Sequence, residues 1–291
     1  MKSSYYKYFA ALLLFGSNGI VASNINLPSY EIVLLRLLLG SLFLITVFTV
    51  SRQRFTFYRN KHTCLYLFIS ASAMGASWML LYEAYQQVGI SIASLAYYCG
   101  PVIVMILSPF LFRETLTWPK IAGFLTVLAG MCLVNLQALD EGKTIWGLFC
   151  GLMSAFMYAL MVTANKKAKP ESGLENSLLQ LVIGSFIVVA FVSMQKNFVL
   201  SLTTIDWIPV LLLGLLNTGI GCYLYFSSIT DLPVQTVAIC GYLEPLSAVV
   251  FSVLFLHEVL LPLQMLGAVL ILGGAIFGEC FKPEKPQRPQ Q

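Results

Sequence analysis

Charged residues are scarce in this chain. Asp, Glu, Lys and Arg make up 10% of the 291 residues, hydrophobic residues make up 58%, and the mean hydropathy is +0.82. A soluble domain carries about 25% charged residues, so this chain has too few to cover a water-facing surface. Strand-like alternation is also lacking, which argues against an outer-membrane barrel. Apolar runs of about 20 residues instead predict helices that cross the hydrocarbon core of a membrane.

Residue patterns for catalysis or metal binding are lacking too. The two histidines, His62 and His257, stand alone in predicted turns, and the seven cysteines include no CxxC pair. We interpret the cysteines as small packing residues, not as disulfide partners or metal ligands. Motifs for ATP hydrolysis, for a serine nucleophile and for a zinc protease are absent. The sequence therefore predicts no enzyme, no metal site and no cofactor.

One stretch of the chain occurs twice. Residues 95–133 and 239–277 each contain a proline-broken apolar segment, a polar turn with a glutamate, and a second apolar segment with glycines. A shift of about 144 residues aligns the two copies, and it also aligns Glu31 with Glu175, so we predict that one unit is duplicated. The aligned pairs are Tyr98–Tyr242, Pro101–Pro245, Ser108–Ser252, Glu114–Glu258, Gly123–Gly267 and Gly130–Gly274.

The apolar segments predict ten transmembrane helices, in two halves of five. The predicted spans are 5–22, 31–50, 63–82, 91–112, 119–136, 145–164, 176–194, 207–227, 234–256 and 262–280. The predicted domains are 5–136 and 145–280, followed by a disordered tail at 281–291. The first span also resembles a signal peptide. We retain it as a helix because residues 145–164 need a counterpart in the first half.

The distribution of positive charge predicts the orientation. Fourteen of the 17 lysines and arginines fall in loops on one side, and only Lys143 and Lys196 fall on the other. By the positive-inside rule we expect both termini in the cytoplasm, with the protein in the inner membrane. The net charge of +4 reflects these loops, not nucleic-acid binding. Five spans are an odd number, so the second half is inverted relative to the first, as in many secondary transporters.

Glu244 is the carboxylate that the prediction places nearest the middle of a span. Such a group is costly in hydrocarbon and must face a cavity or a partner. Pro245 follows it and, like its counterpart Pro101, breaks the helix by removing a backbone donor. Glu244 is either a proton-titrating or cation-binding site or a hydrogen-bonded carboxyl that supports the kink. Both interpretations stand.

Arg36 lies early in the second span, and its repeat counterpart is Gln180. One interpretation is that it binds a substrate carboxylate. The other, which we favour, is that it ties helix ends together or extends to the headgroups.

Polar and aromatic residues at predicted mid-membrane depths form a second set of candidates. Together they suit a pocket that stacks on an aromatic substrate or holds an organic cation. The alternative for each is ordinary packing or anchoring at the membrane interface. The set is Asn18, Trp78, Tyr82, Tyr98, Tyr158, Asn217, Tyr223 and Tyr242. Glycines at 123–130 and 267–274 suit close helix packing, within a monomer or in a homodimer.

The two repeated stretches, GP-V…FLFRETLTWPKIAGFLTVLAG and YLEPLSAVVFSVLFLHEVLLPLQMLGAVLILGG, resemble the drug/metabolite transporter superfamily, and more narrowly its EamA-type proteins. The resemblance implies ten helices and a central cavity lined by spans one, three, four, six, eight and nine. It also implies transport of a small metabolite, more often outward.

Together these expectations describe an all-α integral membrane protein of two inverted five-helix repeats. Its cargo is expected to be an amino acid or an amine, moved by alternating access, with Glu244 coupling transport to protons or cations. A lipid flippase, a channel and a membrane-embedded enzyme are the rival classes. Saturable flux with counterflow in proteoliposomes distinguishes a transporter from the last two.

Overall fold

The computed structural model describes residues 2–135, 145–194, 207–256 and 262–281. Over these ranges the chain is helical and contains no strand. The α-helices are α1 (Lys2–Gly16), α2 (Asn18–Ser23), α3 (Ser29–Val50), α4 (Lys61–Tyr97), α5 (Cys99–Phe112), α6 (Trp118–Asn135), α7 (Ile145–Ala168), α8 (Gly173–Ser193), α9 (Trp207–Leu211), α10 (Gly221–Ile229), α11 (Val234–Gly241), α12 (Leu243–Leu256) and α13 (Pro262–Cys280). A π-helix, Leu212–Ile220, joins α9 to α10, and a 3₁₀ turn, Phe57–Arg59, precedes α4.

Six helical segments within the described ranges are long and apolar enough to cross a membrane. They are Tyr30–Val50, Lys61–Val88, Ile145–Ala168, Gly173–Ser193, Trp207–Ile229 and Val234–Phe255. Shorter apolar helices occupy Cys99–Phe112, Trp118–Leu133 and Met265–Gly278. The prediction of an all-helical membrane protein is confirmed, whereas the number of ten spans stays a prediction. The predicted tail lies outside the described residues after Phe281.

Helix α4 covers the predicted third span and the start of the fourth. A methyl group on Gly151 would lie 3.8 Å from the Ala84 Cβ and 2.8 Å from the Ala96 Cβ. A straight helix would separate residues 84 and 96 by about 18 Å. The chain therefore reverses between Ala84 and Ala96, as two adjacent spans require. This reversal agrees with the predicted turn between the third and fourth spans.

Glycines bring α6 and α13 into antiparallel contact. A Cβ on Gly123 would lie 2.5 Å from the Gly274 carbonyl oxygen, and a Cβ on Gly130 would lie 2.6 Å from that of Gly267. The repeat pairs Gly123 with Gly267 and Gly130 with Gly274, so each contact becomes the other when the two halves are exchanged. That exchange is the signature of a pseudo-two-fold relation. The glycines are needed here because the two backbones touch.

Other helix contacts also occur as pairs that replace each other when the two halves are exchanged. Helix α7 of the second half packs on α4 and α5, while α1 of the first half packs on α10 and α12. Helices α3 and α8 pack on each other. At their flanks Gly75 meets the Gly184 backbone, and Gly40 meets Thr218 and Gly214. The halves therefore interlock, and the central residues of one half lie against the other.

The glycine contact predicts unequal effects of two neighbouring substitutions in α13. Gly274→Ala places a methyl 2.6 Å from the Gly123 carbonyl oxygen. We expect it to destabilise the protein by about 1–3 kcal/mol through overpacking. Gly273→Ala is the matched control, because its Cβ meets nothing within 4 Å. It should be neutral or stabilising, since alanine favours a helix by up to about 1 kcal/mol over glycine. Thermal unfolding of the purified protein measures both, and equal effects would contradict the contact.

Candidate functional site

Helices are interrupted at three places near the centre of the molecule: at Ser17, Tyr98 and Tyr242. The second and third are equivalent in the repeat. Pro101 and Pro245 lie in the first turn of α5 and α12, three residues after each interruption. A proline is tolerated there because the first turn of a helix does not use its backbone N–H groups.

Tyr98 and Tyr242 face each other across the two halves. The Tyr242 hydroxyl donates to the Tyr98 carbonyl oxygen at 2.7 Å, and the ring centroids are 6.4 Å apart. The Tyr242 side chain is fully buried and also meets Phe124 edge-on. In this conformation Tyr242 holds the two interruptions together and does not face an open space.

Asn217 of the π-helix stabilises the first interruption, at Ser17. Asn217 is buried, and its Nδ2 lies 2.9 Å from both the Leu14 carbonyl oxygen and the Ser17 Oγ, and 3.0 Å from the Asn18 Oδ1. The candidates Asn18 and Asn217 are thus brought together. The Asn217 amide donates to the backbone where α1 gives way to α2, and the Asn18 side chain accepts from Asn217, which leaves less of both for a ligand.

Arg36 is buried and reaches residues of both halves. Its Nε donates to the Thr218 Oγ1 at 2.9 Å, and its guanidinium carbon lies 4.7 Å from the centre of the Trp78 ring. The Thr218 hydroxyl in turn donates to the Leu213 carbonyl oxygen at 2.8 Å. Arg36 therefore points into the protein interior and does not extend to the headgroups. The cation–π contact with Trp78 holds the guanidinium in a fixed orientation.

Glu244 is half-buried. Its carboxylate lies within electrostatic range of the Arg36 guanidinium, which carries the opposite charge. We call the surroundings of Glu244 the central site. Tyrosines also lie within electrostatic range of the carboxylate, namely Tyr8, Tyr85, Tyr97, Tyr98 and Tyr158.

The remaining aromatic candidates divide into two groups. The Tyr158 ring lies 5.5 Å from Tyr97, close to Glu244, and the Tyr82 ring lies 5.2 Å from Tyr85. Tyr223 instead lies beneath the Lys7 ammonium, 5.8 Å from it, towards the start of α1. The structure thus places Tyr98 and Tyr158 in the central site, packs Tyr82 on Tyr85, and leaves Tyr223 apart.

Sequence reasoning left Tyr8 and Tyr85 out of the candidate set. Tyr8 is buried and donates to the Val237 carbonyl oxygen at 2.8 Å. The Tyr85 hydroxyl lies 3.5 Å from the Ser94 Oγ, across the reversal in α4. A signal for Tyr85 was present, because it lies three residues after Tyr82 on the same helix. No comparable signal marks Tyr8, since its contact joins residues far apart in the chain.

Two charged side chains bind helix ends. The Glu114 carboxylate accepts from the Val234 N at 2.8 Å and the Gln235 N at 3.1 Å, at the positive N-terminus of α11. The Lys166 ammonium caps the C-terminal end of α10, where carbonyls are free. Its acceptors are the carbonyl oxygens of Ile229, Thr230 and Leu232. The Glu114 contact joins the two halves, whereas the Lys166 contacts lie within the second half.

Within the described ranges no group of three or more metal-binding side chains occurs.

Comparison with known proteins identifies the family. A sequence model of the EamA-like transporter family matches residues 3–136 and, a second time, residues 145–278. The chain belongs to the EamA-like transporter family. The resemblance noted in the sequence is thereby confirmed, and this EamA-like protein is a multi-pass membrane protein of a transporter family.

Named relatives agree with this assignment. The uncharacterized transporter YxxF of Bacillus subtilis is 27% identical over 275 residues, 92% of this chain and 86% of that protein. The threonine/homoserine exporter RhtA of Escherichia coli K12 is 27% identical over 243 residues, 83% of this chain and 79% of that protein. A solved structure titled "Crystal structure of protein" shares the fold at a TM-score of 0.81. It is 18% identical and covers 96% of this chain and 98% of its own.

The asparagine contact predicts a specific loss of stability. Asn217→Ala removes a buried donor from three acceptors at the α1–α2 interruption. We expect a cost of about 0.5–1.5 kcal/mol, the net contribution of a hydrogen bond, because the Leu14 carbonyl oxygen keeps the Ser17 N and Oγ as donors. Asn24→Ala is the control, since Asn24 is exposed and donates only to the Ile20 carbonyl within its own turn. Thermal unfolding with the same effect in both variants would show that Asn217 does not hold the interruption.

Proposed function

We propose that this protein is a secondary transporter of the inner membrane that exports an amino acid by alternating access. It has ten spans in two inverted halves and both termini in the cytoplasm. The observation that carries the proposal is a pair of opposite charges, Arg36 of the first half and Glu244 of the second, within electrostatic range of each other.

An amino acid matches this pair because it carries both charges itself. The Arg36 guanidinium would bind the cargo carboxylate, since arginine recognises carboxylates through two parallel donors. Its Nε is engaged by Thr218, which leaves the terminal nitrogens for the cargo. Glu244 would receive the cargo ammonium, and the rings of Tyr97, Tyr98 and Tyr158 would form the walls. RhtA, a relative named as a threonine/homoserine exporter, supports both the cargo class and the direction.

An amine is the second cargo that fits. It needs only Glu244 and the aromatic walls, through charge and cation–π attraction. Arg36 distinguishes the two cargoes, because a cationic amine forms no favourable contact with the cationic guanidinium.

Alternating access requires contacts between the halves to open. Because the Glu114 carboxylate holds the N-terminus of α11 from the first half, opening must withdraw it from those backbone groups of the second half. Coupling to protons would act through Glu244. A carboxylate that binds the cargo when ionised and a proton when empty would exchange one for the other during each cycle.

Counterflow in proteoliposomes tests the proposal. Proteoliposomes preloaded with unlabelled amino acids should accumulate the labelled amino acid, and the rate of uptake should saturate as its concentration rises. Glu244→Gln and Arg36→Gln should each lower amino-acid flux at least about tenfold, since each removes a charge-assisted hydrogen bond worth about 1.5–3 kcal/mol. Arg36→Gln should spare an amine. Glu171→Gln, which removes an exposed carboxylate, is the control and should leave flux unchanged.

Three outcomes would contradict the proposal. Unchanged amino-acid flux in both variants, with folding checked by thermal unfolding, would remove the charge pair from the site. Ion conductance without saturation would indicate a channel. Movement of a labelled phospholipid between leaflets, with no flux of soluble cargo, would indicate a flippase.

A further inference from the structure

Thr218 lies in the π-helix, and its side chain is fully buried. Its hydroxyl donates to the Leu213 carbonyl oxygen at 2.8 Å, five residues earlier in the chain. That spacing is the hydrogen-bond register of a π-helix, whereas Thr163 in α7 donates to the carbonyl oxygen four residues earlier, as threonines in α-helices do. Turns of π-helix are uncommon and occur frequently at functional sites. The π-helix therefore sets the orientation of the Thr218 hydroxyl.

The same hydroxyl accepts a hydrogen bond from the other half of the molecule. The Arg36 Nε, on α3 of the first half, donates to the Thr218 Oγ1 at 2.9 Å. A threonine hydroxyl has one proton to donate and two lone pairs that accept. Because the proton lies on the bond to the Leu213 carbonyl oxygen, the lone pairs are left for the guanidinium. The hydroxyl is thus arranged as an acceptor for a cation.

The methyl group of Thr218 is fixed as well. A Cβ on Gly40 would lie 2.9 Å from the Thr218 Cγ2, so the methyl group occupies space that a side chain at position 40 would need. Gly40 follows Arg36 by four residues and lies on the same face of α3. Both branches of the Thr218 side chain therefore contact that face, the hydroxyl at Arg36 and the methyl at Gly40. The side chain cannot rotate without losing these contacts.

Thr218 and Trp78 together restrict how a carboxylate can approach Arg36. The Trp78 ring covers one face of the guanidinium, whose carbon lies 4.7 Å from the ring centre. A carboxylate binds a guanidinium in its plane through two parallel hydrogen bonds, at an edge that presents two N–H donors. Because Thr218 occupies the Nε, the edge formed by the two terminal nitrogens is the one left for a cargo.

We propose that Thr218 is the positioning residue that aims this edge of Arg36 at the cargo carboxylate. The inference rests on the proposed function, in which Arg36 binds that carboxylate. Thr218 is fully buried and acts through Arg36, not by touching the cargo. Without its hydroxyl the guanidinium turns about its side-chain bonds and no longer presents two parallel donors, so the affinity for amino acids falls.

Counterflow in proteoliposomes tests the proposal with the full-length protein. The probes are the protein amino acids, each labelled and assayed singly. Thr218→Val keeps the shape of the side chain and removes the hydroxyl. It should raise the half-saturating concentration about tenfold, because a hydrogen bond to a charged group is lost, and leave the maximal rate nearly unchanged. Thr218→Ser keeps the hydroxyl and should restore most of the affinity.

Two further variants separate positioning from a general structural role. Thr163→Val is the matched control, because Thr163 is also buried but its hydroxyl donates within its own helix. It should leave the half-saturating concentration unchanged. In the Arg36→Gln protein, adding Thr218→Val should cause little further loss, since no guanidinium remains to be positioned. If Thr218→Val fails to fold, Thr218→Ala removes the same hydroxyl and replaces it in each comparison.

The outcomes distinguish this inference from the proposed function. An unchanged half-saturating concentration in Thr218→Val would overturn the role of Thr218 if Arg36→Gln still lowers amino-acid flux. An equal rise in Thr163→Val, or a full additional loss in the double variant, would overturn it as well. Unchanged flux in Arg36→Gln would instead overturn the binding of the cargo carboxylate by Arg36, and this inference with it.

Discussion

The absence of water from the hydrocarbon core constrains this structure more than any other condition. A helix that is interrupted in the membrane frees backbone groups, and these must find partners within the protein. Here the partners come from the opposite half of the chain. The Asn217 side chain donates to the Leu14 carbonyl oxygen at the interruption after α1, and the Tyr242 hydroxyl donates to the Tyr98 carbonyl oxygen. In return, Tyr8 of the first half donates to the Val237 carbonyl oxygen of the second. Each half therefore supplies hydrogen bonds to the other.

This reciprocity has a consequence for transport. The interruptions at Tyr98 and Tyr242 lie near Glu244, so the contacts that support the backbone also shape the site. The antiparallel glycine contacts between α6 and α13 join the halves through backbone. They are suited to remain fixed while the contact at Glu114, which depends on a single side chain, opens and closes.

The sequence was informative about architecture because the duplication repeats features with clear physical meaning. Proline, glycine and membrane carboxylates are rare enough that their spacing reveals the repeat. The rotation of each helix was not predictable, because helices that are apolar on all sides give no amphipathic signal. Tyr242 and Tyr223 therefore appeared equivalent as candidates, yet one is buried at the centre and the other lies under Lys7. Contacts such as Asn217 with Leu14 join residues about 200 positions apart, which local patterns do not reveal.

Inversion of the two halves is the central claim, and repeat-equivalent positions test it most directly. Asn26 and Pro170 correspond under the duplication and lie in connections at helix ends. In a background without the seven native cysteines, each is replaced singly by cysteine and treated with a membrane-impermeant thiol reagent. The account predicts that Asn26→Cys reacts in intact cells and that Pro170→Cys reacts only after lysis. Labelling of both from the same side would contradict inverted halves.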